Sequence, residues 1–423
     1  MSRLNELIQE LCPDGVVYKK LEELGTFFSG LTGKSKDDFK DGNAKFITYR
    51  NVYSNPSLNM KIEDKVKIRD NEIQHIVKYG DILFTGSSET PDECGMSSVV
   101  TTEPDEKLYL NSFCFGLHLY NVDYFNIHYL KHVLRSNDIR KQIKKTASGV
   151  TRYNVSKKRF AKVCIPIPPL DVQNEIVRIL DTFTSHAAEL QAELQARKEQ
   201  YEYYRNKLLT FDKDDKNVKW MKLGEVGTFI RGKRFVRTDI VENGIPCIHY
   251  GDMYTYYGLK ATKTKGMLRK DLAAKMRFAQ KNDVVIVAAG ENKDDIGVGL
   301  AWLGEEPVAV HDACFIFKSK MYPQYVAHFL RTDYYHKQIK KYVSEAKICS
   351  ISAKGLAKTI IPVPSFEKQQ HISSILDKFE ALVNDLTEGL PAEIAAVQEQ
   401  YEYYRNKLLT FKDVGTYHGA SST

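Results

Sequence analysis

The chain has 423 residues, 43% of them hydrophobic, and a formal net charge of +7 at pH 7. That length suggests two or three domains with ordinary cores, and the absence of any run of roughly eighteen apolar residues argues against a membrane span. The seven cysteines are scattered without a CxxC pair, which disfavours zinc and fits free thiols in a reducing cytoplasm, while the basic balance is compatible with nucleic acid.

The opening MSRLNELIQELCPDG reads as a short polar helix and not as a signal peptide. Three β-like runs follow, FITYRNVY (46–53), DILFTG (81–86) and LYLNSFCFGLHLY (108–120), then a helical pattern over about 124–145. GLTGKS (30–35) falls short of a phosphate loop, because Phe28 stands where the motif needs its first glycine. Its Lys34 remains a candidate phosphate contact. Tyr49, Arg50 and Asn51, with Ser87 and Ser88 in the polar loop TGSSETPDE, are candidates for reading a polymeric ligand, since specificity tends to sit on loops of a rigid scaffold. From Lys131 to Lys162 there are eleven Lys/Arg against one acid, Asp138. Lys141, Lys144, Lys145, Lys157 and Lys158 suit phosphates as point charges, and Thr151, Arg152 and Tyr153 can approach base edges.

Residues 165–211 carry IPIPP and then an apolar seam: Ile176, Leu180, Phe183, Ala187, Leu190, Leu194, Tyr201, Tyr204, Leu208, Phe211. Steps of four and three predict a coiled-coil helix over 171–211, about 60 Å long at 1.5 Å per residue.

The whole pattern then recurs. KLEELGTFFSG (20–30) returns as KLGEVGTFIRG (222–232), LRSNDIRKQIKK (134–145) as LRTDYYHKQIKK (330–341), and EQYEYYRNKLLTF (199–211) without change at 399–411. The β-like runs IPCIHYGDMY, DVVIVAAG and PVAVHDACFIF repeat the first set, with a helix near 323–341. Candidate contacts in this copy are Lys233, Arg234, His249, Tyr250, Asn292, Lys293, Lys337, Lys340, Lys341 and Lys347. The second seam includes Leu376, Phe379, Leu386, Leu390, Ile394, Tyr401, Tyr404 and Leu408. An extra step of four at Leu386–Leu390–Ile394 is a stutter, and Gly389 and Pro391 beside it would tolerate a bend.

The predicted architecture is therefore α+β: two globular parts with mixed, mostly antiparallel sheets, separated by two long helices that form an antiparallel coiled coil with pseudo-two-fold symmetry. The expected boundaries are 1–165, a first spacer helix 166–213, 214–362, a second spacer helix 363–412 and a tail 413–423. Leu180, Phe183, Leu190, Leu194, Tyr201, Tyr204 and Leu208 with their second-copy counterparts should form the seam or a subunit interface. No nucleotide-cofactor fingerprint, methyltransferase tetrapeptide, nuclease constellation or HExxH is present, so no catalytic residue is expected.

The paired IPIPP–LDVQNEIVRILDTF…EQYEYYRNKLLTF and IPVP–FEKQQHISSILDKF…EQYEYYRNKLLTF segments, with the AELQ-AELQ tetrapeptide repeat at 188–195, resemble the specificity (S) subunit of Type I restriction–modification enzymes. The resemblance covers the chain's layout and is specific in the helices. It implies two target recognition domains, each reading half of a bipartite DNA site, and helices that space them. It also implies partners: two methyltransferase (M) subunits with S-adenosylmethionine, and restriction (R) subunits with ATP and Mg. On that expectation this chain binds no cofactor or metal itself. The residues alone leave open a stand-alone coiled-coil DNA-binding regulator.

Overall fold

A computed structural model describes residues 2–345, 348–385 and 387–414; Lys347, Leu386 and most of the 413–423 tail lie outside the described residues. The chain divides into two compact units. The first is residues 1–188 with 395–423, the second 189–394. Each helical repeat is thus divided, and the 399–411 copy belongs to the first unit while the 199–211 copy belongs to the second.

In the first unit, strands Gly25–Ser29, Cys114–Leu119, Ile82–Thr85 and Ser97–Val99 form an antiparallel sheet in that order. Ile82–Thr85 is buried at every position, as its continuous apolar run requires. A second sheet orders Lys65–Val66, Ala44–Ile47 and Leu108–Leu110, the last two parallel. Phe84, Phe115 and Phe160 pack ring against ring at 4.8–5.4 Å, in one apolar cluster with Ile176, Leu180, Tyr401 and Leu408. The second unit repeats the construction with two five-stranded sheets. Its central strand Val284–Val287 is again wholly buried.

Two local expectations change. FITYRNVY is not one β-run: strand Ala44–Ile47 gives way to helix Tyr49–Ser54, because the Thr48 hydroxyl accepts from the Asn51 N–H and caps it. IPCIHYGDMY divides likewise into strand Ile245–Ile248 and helix Asp252–Thr255. The helices expected near 124–145 and 323–341 are each broken in two, at Ile127–Val133/Asn137–Lys144 and Pro323–Phe329/Asp333–Ile339, with Ser136 and Thr332 at the second starts.

The first long helix runs unbroken over Leu170–Leu208. The second does not: it consists of Phe366–Asn384 and Leu390–Leu408. Between them Asp385 turns extended, and its carboxylate accepts from the Thr387 N–H, the Thr387 hydroxyl and the Glu388 N–H at 2.7, 2.6 and 3.2 Å. Pro391, without an N–H, sits in the first turn of the new helix, where none is needed. The stutter is thus resolved as an interruption rather than an unwound turn.

The candidate nucleic-acid interface

The tip of the hairpin Ala147–Gly149/Tyr153–Val155 closes one side of a cavity of about 470 Å³ in the first unit. Strand Ser87–Ser88 pairs with the hairpin, opposite Asn154 and Tyr153. Helix Tyr49–Ser54 and the turn at Phe113 complete the lining. The Arg152 guanidinium lies 5.3 Å from the centre of the Phe113 ring and donates through Nε and Nη2 to the Ser87 hydroxyl at 3.2 and 3.0 Å. Tyr49 donates to the Ser87 carbonyl at 2.7 Å and stacks on Tyr53. Tyr53 and Ser88 both donate to Glu93, and these bonds hold its carboxyl below the usual range. Arg140 staples the loop beneath by donating to the carbonyls of Asp92, Cys94 and Gly95 at 2.6–2.7 Å.

The second unit has a cavity of about 480 Å³ at the corresponding place. Strand Ala289–Gly290 pairs with Cys349–Ile351 as Ser87–Ser88 pairs with Tyr153–Val155. The registers Thr85↔Cys114 and Val287↔Cys314 align Phe113 with Ala313. Tyr250 and Glu291 thus match Tyr49 and Glu89, while Ala289, Ala313 and Ile348 stand where the first unit has Ser87, Phe113 and Arg152. Here the polar lining comes from Arg234, Arg237, His249, His311 and Asp312 instead. The rings of His249, Tyr250 and His311 sit within 4.7–5.1 Å of one another, and burial pushes both histidines below their ordinary pKa, keeping them neutral.

Of the expected contacts, the structure brings Tyr49, Ser87, Ser88, Thr151 and Arg152 together, and Arg234, His249 and Tyr250 together. Tyr153 lies in the hairpin strand behind the first cavity. Arg50, Lys145, Lys158 and Lys233 are exposed and make no bond to another side chain among the described residues. Lys157 lies over the Phe115 ring, and Lys341 over Tyr342. Lys141 and Lys144 pair with Asp138 and Asp92 at the surface. Lys337 and Lys340 join Lys293 around a separate hollow of about 340 Å³, and Lys293 is bonded to Glu345. The Asn292 side chain caps the turn after it.

Two expectations are corrected. Lys34 is a structural cation: its side chain is 3% exposed and its ammonium binds Glu72 and the Lys67 carbonyl. The Asn51 side chain bonds the Asn59 carbonyl and N–H and the Asn55 amide, so it organises a loop. Tyr53, Glu89, Glu93 and Phe113 were not expected at the site, nor were Phe235, Arg237, His311 and Ile348. Tyr53 repeats as Tyr254, and Glu89 and Glu93 lie in the polar loop TGSSETPDE, so the sequence does point to these three.

The helical repeats carry a second recurring arrangement. In the first unit His132 lies between the Tyr401 hydroxyl (2.9 Å) and Asp181 (2.7 Å), and Lys131 also reaches Asp181. In the second, His328 lies between Tyr201 (3.3 Å) and Asp377 (2.9 Å), with Lys260 on the aspartate. Phe183 stacks on Tyr404, and Phe379 on Tyr204. Leu180, Leu190, Leu194, Leu376, Leu390 and Leu408 are buried, while Leu208 and Ile394 are half-buried.

The family model for the Type I restriction modification DNA specificity domain matches this chain twice, at residues 13–199 and 215–396. The chain belongs to that family. The EcoR124I/EcoR124II specificity subunit of Escherichia coli is 36% identical over 272 residues, 61% of this chain and 64% of that protein, so the match falls just short of two thirds of its length. A putative type I specificity subunit of Haemophilus influenzae, S.HindORF215P, is 34% identical over 62% of this chain and 68% of its own. A solved chain described under complex assembly and conformational transition of the type I R-M system superposes with a TM-score of 0.60 at 16% identity, covering 94% of this chain and 98% of that one, a likeness of fold. The two matched specificity domains each contain one of the two cavities' principal lining sets. Among the described residues no cluster of His, Cys, Asp or Glu is suited to a metal, and no helix is long and apolar enough to cross a membrane.

Proposed function

We propose that this chain is the sequence-recognition subunit of a Type I restriction–modification complex. Each unit reads one half of a bipartite, asymmetric DNA site, the helices set the gap between the halves, and the repeated helix ends dock two methyltransferase subunits. S-adenosylmethionine, ATP and Mg belong to the methyltransferase and restriction partners, and this chain performs no chemistry itself. One observation supports the reading best: two cavities in register-equivalent places share a tyrosine and a glutamate but differ in the side chains between them. A reader of two unlike half-sites needs a common frame and unlike contacts.

Co-expression with the methyltransferase partner, affinity purification and single-molecule methylome sequencing test this. The expected result is a stable complex and one methylated motif of two arms with a fixed gap. A chain that brings down no methyltransferase and leaves no methylation would favour the stand-alone regulator.

A further inference from the structure

The Arg152 guanidinium has two bidentate edges. The edge formed by Nε and Nη2 is occupied by the Ser87 hydroxyl, and the ring of Phe113 lies under the cation. The other edge, Nη1 and the second hydrogen of Nη2, has no protein acceptor among the described residues. An arginine held at one edge and one face presents its remaining fork at low entropic cost.

The surroundings decide what that fork meets. The cavity contains Glu89 and Glu93 and no lysine. Two carboxylates repel a phosphate but accept from base N–H groups, which suits a base edge and not the backbone. The guanine O6/N7 pair is the base edge that accepts from both donors of such a fork.

The second unit supplies an internal control. Arginine, its hydroxyl anchor and its aromatic platform are replaced together, by Ile348, Ala289 and Ala313, while Tyr49 and Glu89 keep counterparts in Tyr250 and Glu291. Guanidinium, hydroxyl anchor and aromatic platform are thus all absent from the equivalent positions of the second unit.

Resting on the recognition function above, we infer that Arg152, positioned by Ser87 and Phe113, reads a guanine in the half-site of the first unit, and that the second unit has no such reader at the equivalent hairpin position, where Ile348 stands.

The test is methylome sequencing of hosts carrying the complex with Arg152→Ala, Arg152→Lys or Ser87→Ala in place of the native chain. The native motif should contain a guanine, on either strand, in one arm that becomes degenerate in Arg152→Ala, with discrimination there falling roughly 5- to 150-fold. Arg152→Lys should relax the same position, because it keeps the charge and loses the fork, and Ser87→Ala should relax it less. The other arm and the gap should not change. An unchanged motif in Arg152→Ala, relaxation at an A·T position, or a uniform loss of methylation with every position still specified would each overturn the inference while leaving the recognition function standing. A native complex that methylates no two-armed motif would overturn both.

Discussion

The Tyr401 hydroxyl lies 2.9 Å from His132 Nδ1, a hydrogen bond across 269 residues of sequence that joins the end of the second helical repeat to the first globular part. His132 Nε2 faces the Asp181 carboxylate, so Nε2 carries the proton and Nδ1 accepts from tyrosine. Tyr201 and His328 repeat the relationship in the second unit.

Removing that hydroxyl tests its role. Tyr401→Phe leaves the buried His132 nitrogen without a donor and should destabilise the first unit by about 1–3 kcal/mol. Urea denaturation should show the loss, and the methylated motif should be unchanged. A shift in motif without loss of stability would contradict a purely structural role.

The same histidines set a pH dependence. Burial lowers the pKa of both His132 and His328, against the pull of Asp181 and Asp377 and with the help of nearby Lys131, Arg405, Arg331 and Arg205. A histidine with a depressed pKa takes up its proton in the unfolded chain first, so stability is full above the ordinary value of 6.5 and falls as pH drops below it. Burial opposes the Asp181 carboxylate, but bonds from His132 and Lys131 outweigh it and hold the group down to about 2, so its own contribution is lost only below about pH 4. Urea midpoints measured from pH 7.5 to 5 should therefore decline before Asp181 titrates. A flat profile would contradict the assignment.

Arg140 is expected to act on one half-site only. Its guanidinium holds three carbonyls of the loop beneath the first cavity. Arg140→Ala should cost about 2–3 kcal/mol and loosen the arm of the motif that Arg152 reads. Thermal denaturation and methylome sequencing together check both effects.

The long helix predicts a change of spacing without a change of sequence preference. A further AELQ after Gln195 adds one turn, about 6 Å, or one to two base-pair steps. The methylated motif should keep both arms and gain one or two base pairs of gap, and an altered arm with an unaltered gap would refute this.

Much of the architecture was legible because it is periodic or repeated. The seam from Ile176 to Leu208 fixes a helix predicted at 171–211 and observed at Leu170–Leu208. The site was less legible because its parts meet through sheet register. Ser87 and Arg152 are 65 residues apart, and nothing in either segment indicates that one anchors the other. Charge density misleads in the same region: Arg135 and Arg140 count toward the basic run, yet both point inward to backbone carbonyls. Lys34 follows a glycine-rich turn and Asn51 lies in the first turns of a short helix, but their partners Glu72 and Asn59 were invisible as partners until the intervening segments folded.

The division of the chain into units has a consequence for its synthesis. The first unit is complete only with residues 395–411, so its His132 leaves the ribosome long before Tyr401 exists. An identical segment, 199–211, is available in the meantime. It is barred from folding back within its own unbroken helix, since Phe183 and Tyr201 stand about 27 Å apart along the axis. The first unit must therefore wait, half-built, for the last turns of the chain, or take the same thirteen residues from another molecule.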